Sequence, residues 1–257
     1  MARFSSPVFI SIALSAIAAA FSGVALLIAT GLVDIGQRPA PNGQALIRER
    51  LLENPEMIVE AMERLQERER AAEADELKAM VQEHADAIFT SPASPVLGNP
   101  EGDVTLVEFF DYNCPYCRQA APMLTEATGA DANLRLVFKE WPILGPGSDD
   151  AARVALAVAR HGKYEAFHEA LMAQSGRVDK DTALSVAQEL GLDVDQLEQD
   201  MADPEIAAEI DRNLELANAL RITGTPTFIV GDEIIRGLVD LESLQRSIDD
   251  ARGRTEN

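Results

Sequence analysis

The chain has 257 residues, enough for one large domain or two smaller ones with a real core. Its hydrophobic share of 47% is ordinary, but 43 acidic against 22 basic residues leave a net charge of -21. That balance argues against nucleic acid as a partner, since phosphate binding needs clustered Lys and Arg, and against a charge-driven seat on anionic lipid.

Val8 to Val33 is a run of 26 residues without a charge, preceded by Arg3 and followed by Asp34 and Arg38. A signal-peptide core is about 7 to 15 residues, whereas about 20 apolar residues span a bilayer, so residues 1–36 read as an uncleaved signal-anchor. The alternative is a signal peptide cut near Ala18-Ala19-Ala20. Both readings export the rest of the chain to the periplasm. The first tethers it to the inner membrane through residues 8–33, and the second leaves it soluble.

Residues 37–91 read as a linker and a helical stalk. Gln37 to Gly43 carries Pro39, Pro41 and Gly43, and Gln44 to Phe89 is helical in character. Asn54-Pro55 punctuates it: Asn suits an N-cap and Pro the first helical position, so one helix should end near Glu53 and the next begin at Pro55. Ile47, Leu51 and Leu52 share one face of the first helix, and Ile58, Met62 and Leu65 recur at helical spacing in the second. Such a stripe packs on the rest of the chain or on a second copy, and the pattern does not choose.

Thr90 to Gly102 is a second linker with room for a short edge strand at Val96-Leu97. Val104 to Phe110 is then a β-branched and aromatic run of strand length. An Asp111-Tyr112-Asn113 turn follows, and Cys114-Pro115-Tyr116-Cys117 opens a helix. These are the only cysteines. A thiol at a helix N-terminus meets unpaired N–H groups and the positive end of the macrodipole, which favour the thiolate. A second thiol one turn on can attack a mixed disulfide made by the first, so the pair reads as a dithiol/disulfide exchange site.

Leu134 to Lys139 is the next strand, completing a βαβ unit with parallel strands. A helical block runs from about Asp149 to Arg221, in segments Ala151–His161, Tyr164–Met172, Asp181–Leu190, Val194–Met201 and Pro204–Leu220. Strand character returns at Thr227–Val230, turns at Gly231-Asp232 and continues at Glu233–Arg236, before a last helix from about Leu241 to Ala251. The order is α/β: strand, helix, strand, helical insertion, strand, strand, helix.

Cys114-Pro115-Tyr116-Cys117 on a strand-to-helix junction, a helical insert, and Gly224-Thr225-Pro226-Thr227-Phe228 at the returning strand resemble the DsbA-like branch of the thioredoxin superfamily. The resemblance implies a thioredoxin fold over residues 92–257 with an all-helical insertion at about 148–221. It assigns Cys114 as the exposed nucleophile, Cys117 as the buried resolving thiol and Thr225-Pro226 as a cis-prolyl loop, whose backbone can pair with an extended substrate. Pro115 and Tyr116, expected to bind substrate together with Thr225 and Pro226, should also tune the redox potential. Strong oxidants of this kind often carry His in place of Tyr116, so a milder oxidant is expected.

Glu108 stands where the family carries a buried acid, and it is read as the group that takes the Cys117 proton, against a solvated edge residue. Leu46 to Glu56, continuing to Met62, is similar to the N-terminal segment of ScsC-type proteins. That similarity implies a homo-oligomer, dimer or trimer, through Ile47, Leu51, Leu52, Ile58, Met62 and Leu65.

The expected function is thiol-disulfide exchange, as oxidase or isomerase, on exported cysteine-containing proteins. It needs a membrane redox partner and no cofactor beyond the Cys114-Cys117 disulfide. The alternative is a copper-tolerance protein that uses both thiolates as Cu(I) ligands. Lys139 reads as a surface lysine, with electrostatic tuning as the alternative. His84, His161 and His168 read as surface or cap residues, and Tyr112 and Trp141-Pro142-Ile143-Leu144 as core packing, with a peptide groove as the alternative.

Overall fold

A computed structural model describes residues 43–255, in two compact units that divide between Arg68 and Glu69. The first unit holds helix α1, Gly43–Glu53, and the start of α2, Glu56–Glu83. Asn54 separates them but does not cap the second: its Nδ2 donates backwards to the Arg50 carbonyl at 3.2 Å. No residue of α1 is buried. In α1 Ile47 and Leu52 are 61% and 72% exposed, and in α2 Met57, Ile58, Val59, Met62 and Leu65 are also exposed; Leu51 is half-buried. Within this unit the apolar stripe therefore covers nothing.

The second unit takes in the end of α2, α3 (Ala85–Phe89), β1 (Val96–Gly98), β2 (Val104–Phe110), α4 (Pro115–Ala130) and β3 (Leu134–Glu140). Next come α5 (Pro146–Arg160), α6 (Tyr164–Met172), α7 (Lys180–Glu189), α8 (Val194–Met201) and α9 (Pro204–Ala219). The chain closes with β4 (Thr227–Val230), β5 (Glu233–Arg236) and α10 (Leu241–Thr255). The sheet order is β1-β3-β2-β4-β5, with β2 and β3 parallel and the other pairs antiparallel. This is a thioredoxin fold with helices α5 to α9 inserted between β3 and β4.

Both faces of the sheet are covered, so all but one residue of each of β2 and β3 are buried. On one face Leu106, Phe110, Leu136 and Phe138 pack with Leu124, Phe167 and Ile248 from α4, the insertion and α10. On the other, Val107, Phe109, Val137 and Trp141 pack with Val81, Ile88 and Leu220. Each such side chain contributes about 1.5–3 kcal/mol by leaving water.

Three expectations need correction. Lys139 is not a surface residue: it is 1% exposed, and its Nζ donates to the Ala87 carbonyl at 2.6 Å and to Ser94 Oγ at 2.7 Å. His168 is buried too, among Phe110, Phe138 and Tyr164. Among the described residues no helix is long and apolar enough to cross a membrane. That overturns the expected signal-anchor and inner-membrane tether as part of this structure. The run at 8–33 on which they were read lies outside the described residues, as does the alternative signal peptide.

Candidate active site

The site is built where β2 hands the chain to α4. Cys114 occupies the N-cap of α4 with extended backbone (φ -80°, ψ 119°), and Pro115 takes the first turn, where its missing N–H costs nothing. The Cys114 N–H donates to the Asp111 carbonyl at 3.0 Å, which closes the turn. Cys114 and Cys117 are both free thiols, 4% and 0% exposed. The nucleophile is thus more recessed than expected, with only an edge open to solvent. Opposite it the Thr225-Pro226 peptide is cis, and Cys114 Sγ donates to the Thr225 carbonyl at 3.3 Å.

The two thiols ionise very differently. A hydrogen bond from the Cys117 thiol, helped by Thr225 and the N–H groups of Cys117 and Tyr116, lowers Cys114 to about 5 despite its burial. Burial pushes Cys117 far above the ordinary thiol value, and the bond it gives to Cys114 adds to this. Glu108 shares a sheet face with Leu106 and Phe110, opposite Phe138 of β3 and Phe228 of β4. It is 1% exposed, and neither carboxyl oxygen has a hydrogen-bond partner. Burial raises it well above the usual carboxylate range, and the charge on Cys114 raises it further.

The turn that carries the cysteines is pinned by groups the sequence did not flag. Asp111, 2% exposed, accepts from the Asn113 N–H at 2.7 Å and Ser148 Oγ at 2.8 Å through one oxygen, and from the Ile143 and Leu144 N–H groups, both at 2.9 Å, through the other. Arg118 donates to the Tyr112 carbonyl at 2.9 Å and the Gly176 carbonyl at 2.7 Å. Tyr112 and Tyr164 both point their hydroxyls at Glu140 Oε1, at 3.2 and 2.9 Å, and Tyr112 also reaches His168 Nδ1 at 3.2 Å. Burial raises Glu140 above the usual carboxylate range, against the two tyrosine hydrogen bonds that lower it, and burial lowers His168 to about 3, so the imidazole is neutral at neutral pH. Only the Asp/Asn turn itself had a sequence signal; apart from Arg118 to Tyr112, the partners beyond it lie 24 to 58 residues away.

Tyr112 and Trp141 are core residues, whereas Tyr116, Ile143, Leu144 and Leu238 are exposed. Leu238 sits beside Gly237, whose N–H donates to the Pro226 carbonyl at 2.9 Å. Residues 112–117, 141–147, 222–227 and 237–239 contain no charged side chain, although a quarter of the chain is charged. Among the described residues no three His, Cys, Asp or Glu side chains converge as metal ligands. Of the expected residues, Cys114, Cys117, Glu108, Tyr116, Thr225 and Pro226 are placed by β2, α4 and the loop before β4. Ile47, Leu51, Leu52, Ile58, Met62 and Leu65 belong to the other unit.

Residues 44–72 match the family model described as copper resistance protein ScsC N-terminal domain. A thioredoxin-like oxidoreductase from Silicibacter pomeroyi is 54% identical, with 65% of this chain and 97% of that one covered and a TM-score of 0.64. Proteus mirabilis ScsC in a compact conformation is 27% identical over 83% of this chain and 98% of that one, with a TM-score of 0.63; it is also known in a transitional conformation. A curated relative, Na(+)/H(+) antiporter NhaA 1 of Salinispora arenicola, is 32% identical over 61% of this chain but only 24% of its own length, so this chain spans about a quarter of that protein. Residues 105–249 match the model described as DSBA-like thioredoxin domain, more than half of the chain. The chain therefore belongs to the DSBA-like thioredoxin family.

Proposed function

We propose that this chain is a thiol-disulfide oxidoreductase that exchanges disulfides with cysteine-containing protein clients. The observation that carries the reading is the split between the two thiols: one ionised at neutral pH and open at an edge, the other protonated and sealed behind it. The Cys114 thiolate attacks a client disulfide, forming a bond to one client sulfur while the other leaves as thiolate. Cys117 then loses its proton and attacks the Cys114 sulfur. The client sulfur departs with the electron pair, the client is reduced by two electrons, and the pair becomes a disulfide. Run backwards, the same steps oxidise a client dithiol.

Glu108 fits these steps as a proton shuttle whose affinity follows the charge on Cys114. While Cys114 is a thiolate, its charge helps to keep the carboxyl protonated. Formation of the mixed disulfide removes that charge, so Glu108 can give its proton to the leaving client thiolate and then take the one on Cys117. The Thr225 backbone suits pairing with an extended client segment. The uncharged rim, with Tyr116, Ile143, Leu144 and Leu238 exposed on it, suits apolar residues beside the client cysteine.

Oligomerisation through the exposed face of Ile47, Leu52, Ile58, Met62 and Leu65, with half-buried Leu51 beside it, is supported by the match to the ScsC N-terminal domain. A separate redox partner must restore the starting state of Cys114 and Cys117. The reduced protein should cleave the interchain disulfides of insulin, and a Cys114→Ala variant should not; equal activity in both sinks the reading. Light scattering on the full chain and on a Leu52→Asp/Ile58→Asp variant tests self-association, which the variant should abolish.

A further inference from the structure

The residue immediately before the nucleophile has no part in the steps above, yet its side chain is held by the insertion. Asn113 Nδ2 donates to the Val178 carbonyl at 2.9 Å and to Ser148 Oγ at 3.0 Å, while Oδ1 accepts from the Val178 N–H at 2.8 Å. The amide thus pairs with both backbone groups of one residue 65 positions away, as a neighbouring strand would. Ser148 passes the connection on by donating to Asp111 Oδ1 at 2.8 Å, and the Asp111 carbonyl holds the Cys114 N–H. The junction is close-packed: a methyl group on Gly147 would lie 2.7 Å from the Val178 carbonyl oxygen.

We propose that Asn113 is a positioning residue, which locks the first turn of α4 to the loop between α6 and α7 so that the insertion keeps the Tyr116 and Cys117 N–H groups aimed at the Cys114 sulfur. This rests on the oxidoreductase reading and adds to it a role for a residue that touches no reacting atom. Hydrogen bonds weaken steeply with misalignment, so a turn free to shift loses most of what its N–H groups give a thiolate.

The ionisable groups that act on the sulfur are Cys117 from α4 and Glu108 from β2; the loops at 141–147, 222–227 and 237–239 carry no ionisable side chain. Arg118 donates through Nε and Nη1 to the Tyr112 and Gly176 carbonyls, and its Nη2 is buried without a partner. Replacing Asn113 by an uncharged residue leaves all of these in place. A change in the titration of Cys114 then reports the geometry of its donors.

The test is the rate of Cys114 labelling by iodoacetamide against pH, on the reduced full chain and its Asn113→Ala and Ser148→Ala variants. The wild type should titrate at about 5. In Asn113→Ala the midpoint should move up towards the free-thiol value of about 8.5, with labelling at pH 6 down about tenfold and labelling at pH 9.5 unchanged. Ser148→Ala keeps both bonds to Val178 and should move the midpoint in the same direction by less. A wild-type midpoint in Asn113→Ala overturns the proposal; if that variant does not fold, a wild-type midpoint in Ser148→Ala does so. A wild-type protein that itself titrates near 8.5 overturns the oxidoreductase reading, and this role with it.

Discussion

On the face of the sheet that packs Val137 and Trp141, Lys139 is buried with its bonds made: it donates to Ala87 and Ser94, and Ser94 donates on to Glu209 at 2.8 Å. On the opposite face Glu108 is equally buried, and neither of its oxygens has a partner. Both strands had to desolvate an ionisable group, at a cost of several kcal/mol if uncompensated. Compensation on one face marks a fastening, which ties the segment before β1 to the sheet. Its lack on the other face fits the proton shuttle proposed for Glu108, and Cys114 and Cys117 lie on that side.

Four experiments press on this contrast. Cys117→Ser removes the resolving thiol and should reduce insulin turnover to background while a mixed disulfide on Cys114 accumulates, visible on a non-reducing gel. Turnover near wild type would separate the chemistry from this pair altogether. Lys139→Ala should lower the unfolding free energy by about 3 kcal/mol, from a cavity and two lost hydrogen bonds, with labelling of Cys114 unaltered. Glu108→Leu should do the reverse. Urea unfolding should show a gain of about 1–3 kcal/mol, because a buried polar group without partners is gone, while resolution of the mixed disulfide slows about a hundredfold. A Glu108→Leu protein that is less stable and equally fast would erase the distinction between the faces.

The smallest effects are in pH dependence. Cys114 is lowered to about 5, from an unfolded thiol near 8.5. Between these values the unfolded chain holds the extra proton, so this contribution to the reduced fold is complete above about pH 8.5 and is lost as pH falls through 5. Burial lowers Lys139 to about 8, from about 10.4 unfolded. Here too the unfolded chain is the more protonated, so stability should climb as pH rises from about 8 to about 10.4. Denaturation midpoints of the reduced protein across both windows should show two separate rises, the lower one absent in Cys114→Ala and the upper one in Lys139→Met.

The sequence told much about the elements and less about their partners. The spans at Tyr164–Met172, Val194–Met201, Thr227–Val230 and Glu233–Arg236 coincide with the structure, because periodicity and turn chemistry are local. The start of α5 did not coincide. The expected segment starts at Ala151, yet Pro146 suits a first helical turn and Gly145 supplies φ 117° at the N-cap, so the helix begins five residues earlier. The thiols were legible because strand and helix patterns place them, whereas Thr225-Pro226 and Glu108 came from the resemblance to the DsbA-like branch. Lys139, His168 and Glu140 were not: what holds them arrives from Ala87, Ser94, Tyr112 and Tyr164, and no spacing along the chain announces those meetings. Asn113 showed only its turn propensity, while its bonding to Val178 is a tertiary fact.

Asp111 grips Ile143 and Leu144 by their main-chain N–H groups alone. Any amino acid except proline offers the same handle, so natural variation can exchange both side chains without loosening the turn beneath the thiols. On the proposed function, preference for one client over another is thereby free to drift between descendants of this protein, while the thiol turn stays as it was.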